Sequence, residues 1–188
     1  LTSENVDTLG NFRSVITNGE KILCYSPGKA YSVVDFSKQN KLEDIVLEEF
    51  VEGTMINVYY ENDEWKCATR GNIGAKCKFF RDYNKTYRTL FLEVMESSGL
   101  EFEMLNKSYM YSFIIQHPEN RIVIPFSEKK LYLIAVYKAD GFNVEKVDIT
   151  TNPFSIQLEE LNIHTPKLVE KKFNSYSELF DYYTSYNI

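Results

Sequence analysis

Residues 55–69 read MINVYYENDEWKCAT, and this stretch decides the fold class. Its two halves, Met55–Tyr60 and Trp65–Thr69, are short runs rich in β-branched and aromatic residues, which favour strands. The polar residues Glu61–Glu64 between them are typical of a tight turn. The stretch therefore predicts a β-hairpin.

Similar runs along the chain predict further strands. These strands are Ile22–Tyr25, Tyr109–Ile115, Arg121–Pro125, Leu131–Lys138 and Val144–Ile149. Asp140-Gly141 is a strong turn signal between the last two. Because short turns connect several of these runs, an antiparallel sheet should dominate the structure.

Two helices accompany the strands. The first is indicated by apolar residues at helical spacing between Tyr87 and Met95, with Gly99 as a stop. The second, near the carboxyl end, begins with a capping box formed by Ser175 and Glu178. The predicted fold class is α+β, a mainly antiparallel sheet with flanking helices.

Length and composition limit the protein classes. The 188 residues, 44% of them apolar, suffice for one compact domain with its own core, which excludes intrinsic disorder. The longest apolar run, Leu131–Tyr137, is much shorter than the roughly 18 residues of a membrane helix. We therefore expect a soluble intracellular chain, cytoplasmic or nuclear. The three cysteines show neither disulfide nor zinc spacing, and the start at Leu1 is compatible with an excerpt of a longer protein.

Charge is distributed unevenly within a formal net charge of −6. Residues 42–64 contain eight acidic residues and no Lys or Arg, whereas residues 70–88 contain six basic residues and one acid. Aromatic residues alternate with the basic ones, a pattern suited to RNA phosphates and bases. The candidate RNA-binding residues are Lys76, Lys78, Arg81, Lys85 and Arg88. The alternative is a solvated basic edge that the neighbouring acidic stretch neutralises.

Common catalytic motifs are missing from the sequence. It contains no phosphate loop and no G-x-G-x-x-G fingerprint, so triphosphatase and dinucleotide-binding functions are excluded, and without a G-x-S-x-G elbow hydrolase-type nucleophilic catalysis has little support. Glu93 and Glu96 have the spacing of a solvated helix face, and no metal site is predicted. His117 is expected at a turn or on the surface rather than as a general base.

Three segments, in order and spacing, resemble the bacteriophage RNA-ligase type within the covalent nucleotidyltransferase superfamily. They are Phe50-Val51-Glu52-Gly53-Thr54-Met55-Ile56, Ala68-Thr69-Arg70-Gly71, and Ser112–Val123 followed by the strand Leu131–Tyr137. The chain also resembles ligase-like proteins of large DNA viruses. The resemblance implies one nucleotidyltransferase (ATP-grasp-like) domain over residues 1–188, whose last two motif strands are either lost or outside the sequence.

The resemblance further implies that the catalytic positions have changed. Active members use a lysine whose amine attacks the α-phosphate of ATP, and here Phe50 stands at that position. A ribose-binding carboxylate is replaced by Ile114, and the usual aspartate by Glu52. We therefore assign no catalytic residue. Phe50 is expected to be an ordinary core aromatic.

Nucleotide-binding candidates rest on the same resemblance. They are Arg13, Glu52, Gly53, Arg70 and Arg121. For Arg70 and Arg121 the alternative is a surface or salt-bridged role, and for Gly53 it is close strand packing.

The expected function is a catalytically silent, RNA-ligase-like module that binds nucleotide or RNA termini or serves as a scaffold for other proteins. Two alternatives stay open. One is an active ligase that uses Lys29 or Lys66 with ATP and magnesium, and the other is a structural component of a viral assembly. No cofactor is assigned outside the active alternative, no membrane partner is expected, and the location would be a host cell or a virion.

Overall fold

The computed structural model describes residues 12–79, 84–121, 123–149, 158 and 160–185. The chain divides into two compact units, one of residues 1–29 with 51–166 and the other of residues 30–50 with 167–188. The single domain over residues 1–188 stays a prediction.

Strands dominate the described residues. They are β1 (Val15–Thr17), β2 (Ile22–Tyr25), β3 (Thr54–Glu61), β4 (Glu64–Thr69), β5 (Asn72–Ile73), β6 (Tyr109–Gln116), β7 (Lys130–Asp140), β8 (Asn143–Val147) and β9 (Ile163–His164). The α-helices are α1 (Val33–Gln39), α2 (Tyr87–Ser98) and α3 (Tyr176–Ser185), and single 3₁₀ turns occupy Leu42–Asp44 and Phe102–Met104.

The larger unit contains a seven-stranded main sheet in the order β5-β4-β3-β6-β7-β8, with β9 also paired to β7. Its neighbours are antiparallel except for β9, which runs parallel to β7. β1 and β2 form a separate antiparallel pair. The predicted α+β class, a mainly antiparallel sheet with flanking helices, is confirmed.

The predicted hairpin and the predicted Asp140-Gly141 turn are both present. Asn62 and Asp63 adopt φ values of 52° and 60° in the two-residue turn between β3 and β4, as type I′ geometry requires. Gly141 adopts φ 58° in the two-residue turn between β7 and β8. These tight turns fix the register of the strands on either side.

Helix α2 covers one face of the main sheet and forms the core with it. Its amino end is capped by Thr86, whose hydroxyl accepts a hydrogen bond from Thr89 N–H, and Gly99 ends it with φ 77°. The apolar stripe predicted from the sequence is buried, since Leu90, Phe91, Val94 and Met95 belong to the main core cluster. A smaller cluster lies on the opposite face of the sheet, where Cys24 of β2 packs with Tyr59, Met110 and Tyr137.

The smaller unit joins α1, α3 and short extended segments. Its predicted capping box is present in modified form. The Ser175 hydroxyl accepts a hydrogen bond from Glu178 N–H at 3.1 Å, and the Glu178 carboxylate accepts one from Asn174 N–H at 2.9 Å. The Tyr176 hydroxyl donates to the Asn40 carbonyl at 2.9 Å, which ties α3 to the residue after α1.

One predicted strand is wrong. Among residues 121 and 123–125 no strand is found, and the segment forms part of the connection between β6 and β7. Val123 and Ile124 are 69% and 49% exposed, so their apolar side chains have no buried face on which to form a strand. Helix α1 was not predicted, because its residues are exposed or half-buried and give no strong apolar stripe.

Candidate functional site

Gly53 marks the point where the chain enters β3. Its φ of 146° lies in a region that L side chains rarely adopt, and a Cβ there would lie 2.5 Å from the Ile115 carbonyl oxygen and 2.6 Å from Ile114 Cγ2. Close approach to β6 therefore requires glycine at this position, which confirms the packing role weighed for Gly53.

The residues on both sides of Gly53 are held by two side chains, one from the last residue of β6 and one from the turn that follows it. Gln116 Nε2 donates to the Glu52 carbonyl at 2.9 Å, and Asn120 Nδ2 donates to Thr54 Oγ1 at 2.8 Å. Asn120 is 1% exposed. We call residues 52–54, together with the turn of residues 117–120, the Gly53 end of the main sheet. These two hydrogen bonds connect the start of β3 to the end of β6 and to the turn after it.

His117 connects this turn to helix α2. It is 1% exposed, its Nδ1 accepts a hydrogen bond from Glu119 N–H at 3.0 Å, and its Nε2 lies 3.0 Å from Glu93 Oε2. Because Nδ1 is an acceptor, we assign the proton to Nε2, which then donates to the Glu93 carboxylate. The turn placement of His117 is confirmed, and the imidazole is buried with both of its nitrogens hydrogen-bonded inside the fold.

Two lysines neutralise the carboxylates around His117. Lys85 Nζ lies 2.9 Å from Glu93 and 2.6 Å from Glu119, and Lys129 Nζ lies 3.4 Å from Glu93. Hydrogen bonding from Lys85, reinforced by His117 and Lys129 against the effect of partial burial, lowers the pKa of Glu93 to about 2. The pKa of Lys85 is raised, first by its hydrogen bond to Glu119 and then by that to Glu93.

The ligand atoms in this cluster are close enough together for a metal site, but they are already engaged in hydrogen bonds and ion pairs. Ligand atoms of Glu93, His117 and Glu119 lie within 4.8 Å of one another. His117 Nε2 is occupied by its hydrogen bond to Glu93, and both carboxylates already contact Lys85. The arrangement is explained as a charge-compensated network that holds the turn of residues 117–120 to α2.

Arg70 and Arg121 lie at the same end of the sheet as Gly53. Arg70 follows β4, in which Ala68 pairs with Asn57 of β3, and Arg121 follows Asn120, which is bonded to Thr54. Both arginines are exposed. The structure therefore brings Glu52, Gly53, Arg70 and Arg121 to one end, and their binding roles stay predictions.

Arg13 lies at the other end. It lines a cavity of about 460 Å³ together with Phe142, which follows β7. Gly53 contacts Ile115, which pairs with Leu131 near the start of β7. At the usual rise of a strand, these two ends of β7 are roughly 30 Å apart. The structure does not bring Arg13 together with the other nucleotide-binding candidates.

Phe50 and Ile114 occupy contrasting environments. Phe50 is 89% exposed, so the expectation of an ordinary core aromatic is wrong. The backbone of Glu52 and the side chain of Thr54, by contrast, are held by Gln116 of β6 and by Asn120 of the following turn. Ile114 is 7% exposed and its Cγ2 lies against the place that a Gly53 side chain would occupy.

The predicted RNA-binding residues also differ among themselves. Lys76 and Lys78 are exposed, Arg88 is half-buried on α2, and Lys85 is engaged by Glu93 and Glu119. Arg81 lies outside the described residues. Among these predicted residues that the structure describes, the exposed cations are Lys76 and Lys78, which lie before α2.

The sequence interpretation missed the network around His117. Its members come from the segment before α2, from α2 itself, from the turn after β6 and from the residue directly before β7. Because these segments are distant in sequence, no local motif predicts the network. The string from His117 to Asn120 was the available signal, because it combines a histidine, a proline turn and two polar residues directly after a strand.

None of the helices within the described residues is long and apolar enough to cross a membrane.

Comparison with known proteins places these observations in context. No family model matches the sequence. The chain is 30% identical over 140 residues to a protein described as an RNA ligase from Rhodothermus phage RM378, and the match covers 68% of this chain and 32% of that protein. The chain thus spans about a third of the length of this curated relative.

A solved structure described as a putative ATP-dependent DNA ligase from Aquifex aeolicus resembles this chain with a TM-score of 0.41 and 14% identity, over 74% of this chain and 35% of that one. The sequence match relates this chain to the RNA ligases and, through them, to the covalent nucleotidyltransferase superfamily.

Proposed function

We propose that this chain is a catalytically silent relative of the RNA ligases that binds a nucleotide or an RNA terminus at the Gly53 end of its main sheet. The observation that carries the proposal is the identity of Phe50. At the position where the family resemblance expects a nucleophilic lysine, the side chain is an exposed phenyl ring. A phenyl ring has no lone pair and cannot form a phosphoramidate with the α-phosphate of ATP.

The environment of Ile114 supports the same proposal. The resemblance expects a carboxylate there, which would hydrogen-bond the ribose hydroxyls. Ile114 instead presents an aliphatic side chain that is buried against Gly53. Two functional groups that the resemblance expects are therefore missing from the chain, one for covalent chemistry and one for sugar recognition.

A binding role is supported by what the same end retains. Gly53 keeps the close backbone approach to β6, and Thr54 is held by Asn120. Arg70 and Arg121 add exposed guanidinium groups, which suit the geometry of phosphate oxygens. We propose these two arginines as phosphate contacts.

The placement of Lys66, one of the two alternative lysines, supports the proposed lack of catalysis. Lys66 Nζ lies 2.8 Å from Glu61 beside the β3–β4 turn, and Lys66 pairs with Tyr59. At the rise of a strand, Tyr59 is roughly 20 Å from Gly53. Lys29 is exposed in the loop after β2, and it is the alternative nucleophile that the test must address.

Labelling with α-³²P-ATP and magnesium tests whether the chain is catalytically silent. We expect no radioactive label on the 188-residue chain after denaturation. Phe50→Lys supplies an amine at the proposed position and serves as the variant in which adenylation would reappear if only the nucleophile were missing. A label on the wild-type chain that survives denaturation and disappears in Lys29→Ala or Lys66→Ala would show an active ligase and overturn the silence.

Equilibrium binding tests the retained function. ATP and a 5′-phosphorylated single-stranded RNA should bind the wild-type chain, and the double variant Arg70→Ala/Arg121→Ala should weaken binding about tenfold or more. Lys38→Ala/Lys41→Ala is the matched control, because it removes two exposed cations that belong to neither candidate site. If neither probe binds the wild-type chain, the binding proposal is wrong.

A further inference from the structure

A second cavity, of about 390 Å³, lies at the end of the main sheet opposite to Gly53. Its walls come from the start of β2, the end of β3, the start of β6 and the end of β7. Three lysines line it, Lys21, Lys107 and Lys138. We call it the lysine cavity.

The lysine cavity is positively charged in a chain whose net charge is −6. Its lining residues include three lysines and no aspartate or glutamate. Ser108, Tyr60 and Tyr109 add hydroxyl groups to the same lining. Ammonium and hydroxyl groups around a concave surface are suited to the non-bridging oxygens of a phosphate group.

The three ammonium groups are free of ion pairs within the described chain. No carboxylate oxygen of a described residue lies within 4 Å of Lys21, Lys107 or Lys138. This distinguishes them from Lys85, which contacts both Glu93 and Glu119. A phosphate entering the lysine cavity would displace water rather than a carboxylate.

Lys107 is also oriented by an aromatic neighbour. Its Nζ lies 4.5 Å from the centroid of the Tyr60 ring. The pKa of Lys107 is raised, first by a hydrogen bond with the Tyr60 hydroxyl and to a smaller extent by the charges of Asp63 and Glu103. Lys138 pairs across the sheet with Tyr109 and on its other side with Glu145, an exposed residue of β8. Lys138 therefore lies within β7, whereas Lys21 and Lys107 lie just before β2 and β6, and the acidic side chains Asp63, Glu103 and Glu145 lie outside the lining.

We infer that the lysine cavity holds backbone phosphates of a single-stranded RNA bound by this chain. The inference rests on the proposed RNA-binding function and adds a site to it that lies outside the basic stretch of residues 70–88. Lysine contacts of this kind act as point charges and read no base sequence, so the cavity would position the strand rather than select it.

The test compares three variants by fluorescence anisotropy with a labelled, 5′-phosphorylated 20-nucleotide RNA over a series of salt concentrations. The cavity variant is Lys21→Gln/Lys107→Gln/Lys138→Gln. The matched control, Lys38→Gln/Lys41→Gln/Lys172→Gln, removes the same charge from exposed lysines of the smaller unit. The third variant, Lys76→Gln/Lys78→Gln, tests the basic stretch.

We expect the cavity variant to bind about tenfold or more weakly at low salt and its slope of log affinity against log salt to fall by about 2, because each lost phosphate contact on a single strand removes about 0.7. The control should bind within about twofold of the wild-type chain. Replacement of the same three lysines by arginine should retain binding, which separates lost charge from lost folding.

Failure of the inference and failure of the proposed function give different results. Equal affinity and slope for the cavity variant and the control would overturn the lysine cavity as an RNA site while leaving RNA binding intact. Loss of binding in the Lys76→Gln/Lys78→Gln variant alone would do the same and assign the phosphates to the basic stretch. Absence of RNA binding by the wild-type chain would overturn both.

Discussion

The network around His117 at the Gly53 end and the lysine cavity at the opposite end differ in how the positive charges of their lysines are satisfied. At the Gly53 end, Lys85 and Lys129 contact carboxylates of the same fold, and Glu93 joins them to the buried imidazole of His117. In the lysine cavity the ammonium groups have no carboxylate within 4 Å among the described residues. Paired charges hold a conformation, whereas unpaired ones are available to an external anion.

The backbone shows the same contrast. Gly53 has β6 within van der Waals distance, and Gly141, in the turn near the lysine cavity, has open space where a Cβ would be. Both glycines have positive φ, 146° and 58°. A side chain at position 53 would therefore clash with β6, whereas a side chain at position 141 would meet no atom within 4 Å.

Gly53→Ala should have the largest effect on stability. The new Cβ would overlap the Ile115 carbonyl and Ile114 Cγ2 in a backbone conformation that is already unfavourable for alanine. Steric overlap and strain together should lower the free energy of unfolding by about 3 kcal/mol or more. Urea unfolding followed by circular dichroism measures this.

Gly141→Ala is the matched control at the other end. It carries a left-handed penalty of about 1 kcal/mol without a steric clash. If both variants lose the same stability, the close approach of Gly53 to β6 does not limit the fold.

Glu93→Ala should have the next largest effect. The substitution leaves the buried Nε2–H of His117 without an acceptor and removes a partner from Lys85 and Lys129. An unsatisfied buried donor costs about 1–3 kcal/mol. Glu93→Gln keeps an acceptor for His117 and should lose less, and the same unfolding measurement compares the two. Equal losses would mean that charge, rather than the hydrogen bond to His117, carries the contribution.

Low pH should lower the stability of the folded chain because it protonates the Glu93 carboxylate. Its pKa is lowered from 4.5 to about 2 in the folded chain, so the folded state favours the charged carboxylate. The resulting stabilisation is fully present above about pH 4.5 and is lost as the pH falls toward 2. The difference in unfolding free energy between the wild-type chain and Glu93→Gln should therefore shrink between pH 7 and pH 2.5. A difference that stays constant over that range would contradict the assigned network.

The predictable part of the structure is local. Asn62-Asp63, Asp140-Gly141 and the apolar spacing from Tyr87 act over a few residues, and each produced the predicted turn or helix. The predicted strand Arg121–Pro125 was wrong because β propensity needs a surface to pack on, and Val123 and Ile124 have none.

The sites were less predictable because they combine distant segments. Gly53, Arg70 and Arg121 could be grouped by a family resemblance, and the structure places them at one end of the sheet. Lys21 and Lys138 are far apart in sequence and meet because β2 packs against the main sheet, in which β6 pairs with β7, and no local pattern reveals this. A charged stretch such as residues 70–88 is visible in sequence, but whether its lysines are paired depends on the fold.

Phe50→Ala should have the smallest effect, and it tests the environment on which the proposed silence depends. An 89% exposed ring contributes little burial, so the unfolding free energy should change by less than about 0.5 kcal/mol. Val51→Ala is the adjacent control, since Val51 is 8% exposed and should lose about 1–2 kcal/mol. A large loss of unfolding free energy in Phe50→Ala would show that the ring belongs to the core. A lysine at this position would then disturb the fold. A negligible loss, with unchanged ATP binding, leaves the position free of structural constraint, so that Phe50→Lys tests the missing nucleophile without also testing folding.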